Sequence, residues 1–484
     1  MKRLKSRATV LLVTILILVS MASSCKHNSD GGVTRKTTEP SGEEIQYLDD
    51  LPETDQYDGE VIKALVVEQT VAVNFISEDP GSTATVLEAS IYKCALQLHE
   101  RFGITMNYTA MDGYASGYQM FVNQIIETTM AGGDGAYDIV MPAYWYGMTL
   151  AADYYYDLNK VENLDFSKTY WKTGFNDATE IAGVRYGAVG DYITGSYDSA
   201  YLVAFNPQMV AQYDLTSPYA LFDNNMWTLE NMFLLKSTVS HQDPTDETNN
   251  QYGVVLSRQT LDGFYTSSGL RFIDDRNGEY VITKYSEKAE DLYQRFYKYM
   301  HDDDDIYYAK SIAEAVDLFV SGKTLFACTA LSTAQAMRNM EQEYRLIVYP
   351  KYDSAQQEYI TPTSGCPIMA IPKTARDPEL SGLVMEALSA SHHKIVIPAY
   401  IDIVLEGQTA KDPRSAEMIN LALDTRFLDF GFVHHNAIAN IANFGIMMEG
   451  MYSSMSSWYD GVKKTYETAL EKYIASYISG TMKE

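Results

Sequence analysis

Cysteine is nearly absent from this 484-residue chain: four residues, of which Cys25 stands apart near the N-terminus. The other three, Cys94, Cys328 and Cys366, cannot all pair. Among those three at most one disulfide can form, and a disulfide framework is excluded. Basic residues are also scarce, 37 Lys and Arg against 64 Asp and Glu, for a net charge of −27. Such a chain repels nucleic acid and anionic membrane surfaces at range. No apolar run reaches the roughly 20 residues of a spanning helix. The sequence has no Gly-x-Ser-x-Gly elbow, no His-Glu-x-x-His and no phosphate loop, which removes the commonest hydrolase and nucleotide-binding readings. Gly132-Gly133-Asp134-Gly135 follows a helical stretch, not a strand, so it is no dinucleotide loop. His301 to Asp305 lacks the alternating acids of a calcium loop, and the pairs His392-His393 and His434-His435 point apart on helix or strand. Neither a metal nor a cofactor is expected.

What is present begins with the N-terminus. Four basic residues in MKRLKSR precede a short apolar run, Ala8 to Met21, then Ala22-Ser23-Ser24 and Cys25. A basic start, a short apolar middle and small residues read as a secretory signal over 1–24. The following cysteine resembles a bacterial lipobox, which implies a mature chain starting at a lipidated Cys25 and held at the extracytoplasmic face of the cell membrane. Loss of four positive charges takes the net charge from −27 to −31. Residues 25–56 are polar and without periodicity, and read as a flexible tether. Fully extended, they would reach roughly 100 Å. The rest exceeds the roughly 250 to 300 residues at which a single core stops growing, so two domains are expected.

The ordered chain opens with a repeating pattern. Val61–Val67 reads as a strand, and Thr85–Arg101 as a helix with Val86, Ala89 and Leu96 at helical spacing. Residues 104–108 read as a second strand, and Tyr118–Met130 as a helix with Met120, Phe121 and Ile125 on one side. Residues 137–142 read as a third strand. Strand, helix, strand, helix, strand implies an α/β crossover sheet, whose ligands sit beyond the carboxyl ends of the strands. Further on, Tyr201–Phe205 reads as a strand, Asn206-Pro207 and Trp227-Thr228 as helix starts, and Asn277-Gly278 as a hairpin turn. Phe319–Phe326 and Arg345–Tyr349 read as strands, and Gly382–Ala390 as helix.

Several segments, in order, resemble the extracellular solute-binding proteins of ABC importers, in their carbohydrate-binding, maltodextrin-binding-protein-like group. They are Tyr137-Asp138-Ile139-Val140 with aromatics after it, SAYLVAFNP at 199–207 leading to Trp227-Thr228-Leu229-Glu230, Phe319–Phe326, Pro350–Asp353, Ile371-Pro372-Lys373 and Ser457-Trp458-Tyr459. The resemblance implies a two-lobe periplasmic-binding-protein-like α/β fold with crossing hinge strands and a cleft between the lobes. Lobe one would be 57–190 and 333–405, and lobe two 191–332 and 406–484. Crossings are expected near Gly190–Ser199, Ala330–Ala334 and after Tyr400. The implied partners are a carbohydrate and ABC permease subunits, with the protein itself a monomer and no chemistry performed on the ligand.

A sugar site needs flat aromatic platforms and polar groups that replace the water lost by hydroxyls. Tyr144, Trp145 and Tyr146 follow the third strand directly, and Trp458 stands among small polar residues; these are the platform candidates. Glu68, Asp112 and Asp198 are the candidate hydroxyl partners, with Gln69 and Asp191 beside them, and Tyr265 and Arg271 lie in a segment that approaches the cleft in relatives. Trp171 and Trp227 read as structural. Two alternatives stay open: a secreted glycoside hydrolase, which needs two carboxylates about 5 to 10 Å apart, and the same receptor fold binding a peptide, a phosphorylated polyol or a metal.

Overall fold

The computed structural model describes residues 46–480 apart from 53–56, 58, 69–74, 115–116, 133–134, 303–305, 335–336, 338–342, 364, 404–409, 411 and 451. The signal, Cys25 and Gln69 lie outside the described residues. Residues Leu48 onward form one compact unit.

β1 (Val61–Val67), β2 (Thr105–Met111) and β3 (Ile139–Met141) form a parallel sheet in the order β2-β1-β3. β1 is covered on both faces, as parallel sheets built from crossover units are. Ile62, Ala64 and Val66 pack with Ile91, Leu98 and Phe102, whereas Leu65 and Val67 pack with Phe121, Ile125 and Val140. The helices between the strands are Val86–Phe102 and Tyr118–Met130. Thr85 caps the first in a reciprocal box with Glu88, and Gly103 ends it at φ 72°. The buried faces differ from those expected. Val86 and Leu96 are exposed while Ile91, Cys94 and Leu98 face the sheet, and Met120 is exposed while Phe121 and Ile125 are buried. Apolar residues lie on both sides of each helix, so spacing alone does not select the side that meets the sheet.

A short ribbon, β4 (Glu180–Ile181) and β5 (Val184–Arg185), precedes the second sheet. That sheet has the order β10-β7-β11-β6-β12, built from β6 (Tyr201–Phe205), β7 (Tyr252–Ser257), β10 (Ile306–Ala309), β11 (Thr324–Ala330) and β12 (Arg345–Ile347). β7, β10 and β11 are parallel, and β6 runs against both its neighbours. Asn206 caps the helix after β6, with Pro207 at its first position. The hairpin of β8 (Ile273–Arg276) and β9 (Glu279–Ile282) turns at Asn277 and Gly278, both at positive φ (59° and 90°), as its Asn-Gly requires. The strand expected at Phe319–Phe326 begins later. Ile312–Val320 is a helix, Gly322 turns at φ 74°, and β11 starts at Thr324.

The passages between the sheets also fall elsewhere. β12 pairs with β6, so 345–347, expected in lobe one, belongs to the second sheet. The chain returns through β13 (Thr361–Pro362), which pairs with β14 (Arg426–Phe427), while Thr363 bridges Ala200. Ala370 then bridges Val140 of β3, and the helix Pro378–Ile403 packs on Val86–Phe102. The expected tether also ends early. Asp49 is buried and paired with Arg101 at 2.8 Å, and Leu51 is buried beside it.

Candidate ligand-binding site

The carboxyl ends of β1, β2 and β3 share one edge because the three strands are parallel. Glu68 leaves β1 exposed to solvent. Beyond β2, Asp112 accepts the Tyr114 amide at 3.1 Å and so shapes the turn. Beyond β3 the chain enters a one-turn helix, Tyr144–Gly147. Trp145 is half-buried there, edge-on to Tyr114 with ring centroids 6.3 Å apart. Gly365 lies directly behind it: a methyl group there would sit 1.9 Å from the indole. Tyr146 is half-buried and stacked on Tyr118. Tyr144 departs from the sequence reading. It is fully buried under this edge, and its hydroxyl has no hydrogen-bond partner among the described residues. Of the three adjacent aromatics, Trp145 and Tyr146 are left accessible. Asp198 belongs to the same edge: its charge raises the Tyr114 pKa, which burial has already raised more strongly. Asp198 itself accepts the Tyr400 and Thr194 hydroxyls.

The second sheet turns the carboxyl ends of β7 and β10 toward this region. Arg258 follows β7 immediately, exposed, and opens the helix Arg258–Ser267. Among the described residues it has no ion pair. Burial raises the Tyr146 pKa, the adjacent Tyr118 adds to the rise, and the positive charge of Arg258 opposes it. The aromatic edge of the first sheet and the cationic edge of the second therefore lie within electrostatic reach of each other. Tyr308, at the end of β10, donates to Glu449 at 2.7 Å, and His435 accepts the Ala442 amide at Nδ1 (3.1 Å). Burial, with Lys284 and Arg258 nearby, lowers the His435 pKa to about 4.

Tyr114, Tyr118 and Arg258 escaped the sequence reading. The signal for Arg258 was the unrecognised strand Tyr252–Ser257, whose Val-Val-Leu run ends two residues before it.

Three other candidates lie on other elements. Tyr265 is fully buried, stacked on Phe272 at 4.3 Å, and its hydroxyl donates to the Lys284 carbonyl at 2.6 Å; it is a core residue, not a cleft contact. The Arg271 guanidinium lies 3.7 Å over the Phe427 ring and donates to the Leu270 carbonyl. Burial lowers its pKa, and Asp429 opposes that shift. Trp458 is half-buried at the start of the terminal helix Met455–Ser479, with the Lys284 ammonium 5.1 Å from its ring. Lys284 is itself buried, and burial lowers its pKa to about 7. Trp171 and Trp227 are buried, with indole N–H groups on Glu386 and on the Val348 carbonyl, each at 2.8 Å.

Where the passages meet, the polar groups are buried. Asp191 accepts from Lys172 (2.8 Å) and Tyr197 (3.0 Å), and pairs with His393 of the long helix. Arg426 of β14 stacks 4.1 Å over Tyr197 and donates to the Ser196 carbonyl. A cavity of about 10 Å³, room for one water, lies among Tyr201, Asp262, Thr363 and Asp429. Burial raises the two carboxyls there to about 7 and about 6. Among the described residues no group of His, Cys, Asp or Glu could hold a metal ion, and Cys94, Cys328 and Cys366 are free and buried. No described helix is long and apolar enough to cross a membrane.

Two sheets of this topology, joined by side-by-side passages and facing each other across their strand ends, define the two-lobe α/β fold of the solute-binding proteins. Solved structures carry the same fold across almost their whole length. An ABC substrate-binding protein of Listeria monocytogenes in complex with cycloalternan matches at TM-score 0.52 and 14% identity, covering 87% of this chain and 99% of its own. A solute-binding protein of Thermotoga lettingae bound with α-D-tagatose matches at TM-score 0.55 and 12% identity, covering 86% and 100%. The galacto-N-biose/lacto-N-biose I-binding protein of Bifidobacterium longum matches at TM-score 0.52 and 12% identity, covering 85% and 99%. No protein-family model matches the sequence, and no curated protein matches it.

Proposed function

We propose that this chain is an extracytoplasmic solute-binding protein that captures a sugar or oligosaccharide between its lobes and delivers it to the permease of an ABC importer. The observation that carries the reading is the half-buried Trp145, packed against Gly365 at the strand ends of the first sheet, with Arg258 within electrostatic reach of the adjacent Tyr146. An indole face suits the C–H face of a pyranose, and the surrounding carboxylates and guanidinium suit its hydroxyls. The fold neighbours with bound cycloalternan, tagatose and lacto-N-biose support a carbohydrate over a peptide or a metal. The chain acts by binding, without chemistry on the ligand.

The lobes in this reading are about 48–198 with 363–403, and about 201–361 with 426–479. Ligand closes them about the passages at 199–201, 361–363 and 426–427, and the closed form is the one the permease reads, since only differential affinity shifts a two-state balance. Lipid on Cys25 holds the receptor at the membrane. The test is ligand-dependent melting against a panel of oligosaccharides, peptides and divalent metals. A rise in Tm with at least one glycan, lost in Trp145→Ala, supports the reading; a rise with a peptide or metal alone rejects it.

A further inference from the structure

Outside the strand ends, a second concavity runs along the terminal helix. A groove of about 810 Å³ lies between the β8–β9 hairpin and the helix Met455–Ser479, from Tyr459 to Ala475. At 1.5 Å per residue that is about 24 Å. None of Trp145, Tyr146 and Arg258 lines it. Its volume is that of a ligand site, and its open, elongated shape suits a chain of several units better than a single small molecule.

Its chemistry is graded across its width. Leu470 and Ile474 form an aliphatic floor. Tyr285 closes one end, stacked on Tyr459 with ring centroids 5.6 Å apart and planes 18° from parallel. Tyr285 is 37% exposed, which leaves part of an aromatic ring open to solvent. Along the rim, Lys463, Glu467 and Glu471 recur every four residues, a ladder of polar side chains about 6 Å apart on one helix face. Lys463 and Glu467 approach to 3.8 Å, both half exposed, an ion pair weak enough to exchange for other partners. Aromatic face, aliphatic floor and regularly spaced acceptors and donors are what a linear, hydroxyl-rich chain asks of a protein. The acidic excess of the rim and of the whole chain disfavours an anionic one.

We propose that this groove is a second, auxiliary binding site for a neutral linear oligosaccharide, separate from the site between the strand ends. Tyr285, backed by the buried Tyr459, stacks a terminal sugar ring, and Lys463, Glu467 and Glu471 bond the hydroxyls of successive units.

The test titrates the mature chain with maltohexaose, cellohexaose, xylohexaose and mannohexaose by calorimetry. At least one should give two binding events per chain. The weaker should lose tenfold or more in affinity in Tyr285→Ala and in Glu467→Gln with Glu471→Gln, and should persist in Trp145→Ala. Tyr285 is partly exposed and the two glutamates are on the surface, so these variants should fold; an unchanged melting curve checks it. A single event with every glycan, or a second event indifferent to Tyr285→Ala, overturns the groove and leaves the proposed function standing. Absence of any glycan binding overturns both.

Discussion

Tyr118 and Tyr146 lie face to face, their ring centroids 3.8 Å apart and their planes 7° from parallel. Each therefore covers one face of the other. Trp145, at the same edge, is backed by main chain, with Gly365 directly against its ring. Trp145→Ala should weaken ligand binding by tenfold or more. Gly365→Ala should do the same indirectly, because the ring must move, and should also cost about 1 to 3 kcal/mol of stability. Calorimetry on both variants, with urea unfolding beside it, checks the pair; Gly365→Ala with unchanged affinity would remove the indole from the site.

Arg258 offers a cleaner separation of binding from folding. It is exposed and has no ion pair among the described residues, so Arg258→Gln should change stability by no more than about 0.5 kcal/mol. Affinity should nevertheless fall about tenfold, the loss of a charge-assisted bond to the ligand. Equal affinity in variant and wild type would place the ligand away from the second sheet's edge.

Asp191 is fully buried and answers Lys172, Tyr197 and His393 together. Asp191→Asn should cost about 3 kcal/mol or more, because the mostly buried Lys172 ammonium is left without its counter-charge. Chemical denaturation measures this directly. A loss under 1 kcal/mol would mean that the network does not hold the passages together.

His434 is buried between the Tyr473 hydroxyl and the Ala178 carbonyl, each 2.9 Å from a ring nitrogen. Burial lowers its pKa from 6.5 to about 3. Between those values the unfolded chain binds more protons than the folded one. The contribution is therefore whole above pH 6.5 and is lost as pH falls toward 3. His434→Gln should flatten that acid limb. An unchanged slope of stability against pH between 6.5 and 4 would show that another group sets it.

Cys25→Ser tests the anchor apart from the receptor. The variant should leave the membrane fraction while ligand affinity stays the same; a fall in affinity would tie the N-terminus to binding.

The first sheet was legible because its strands are short segments separated by amphipathic helices that end at Gly103 and at the glycines near 132, and a crossover sheet follows from that alternation alone. The helix faces were not. Val86, Leu96 and Met120 are apolar yet exposed, and only tertiary packing tells Leu96 from Leu98. In the site, Trp145 was visible because it follows a recognised strand. Arg258 was invisible because its strand went unread. Tyr265 looked available in a segment rich in Ser, Thr and Gly, yet that segment is a helix buried along most of its length, so its small residues serve close packing.

The ion pair between Asp49 and Arg101 shortens the leash that the proposed lipid anchor would provide. In the proposed reading, with Asp49 and Leu51 packed on the body, at most residues 25–48 separate a lipid on Cys25 from the receptor, about 80 Å of extended chain instead of roughly 100 Å. On that proposal the volume within reach scales with the cube of that radius and falls by about half, and encounters with a permease inside it become about twice as frequent. Arg101→Ala would lengthen the leash without touching the site, and uptake at limiting ligand is where the difference should register.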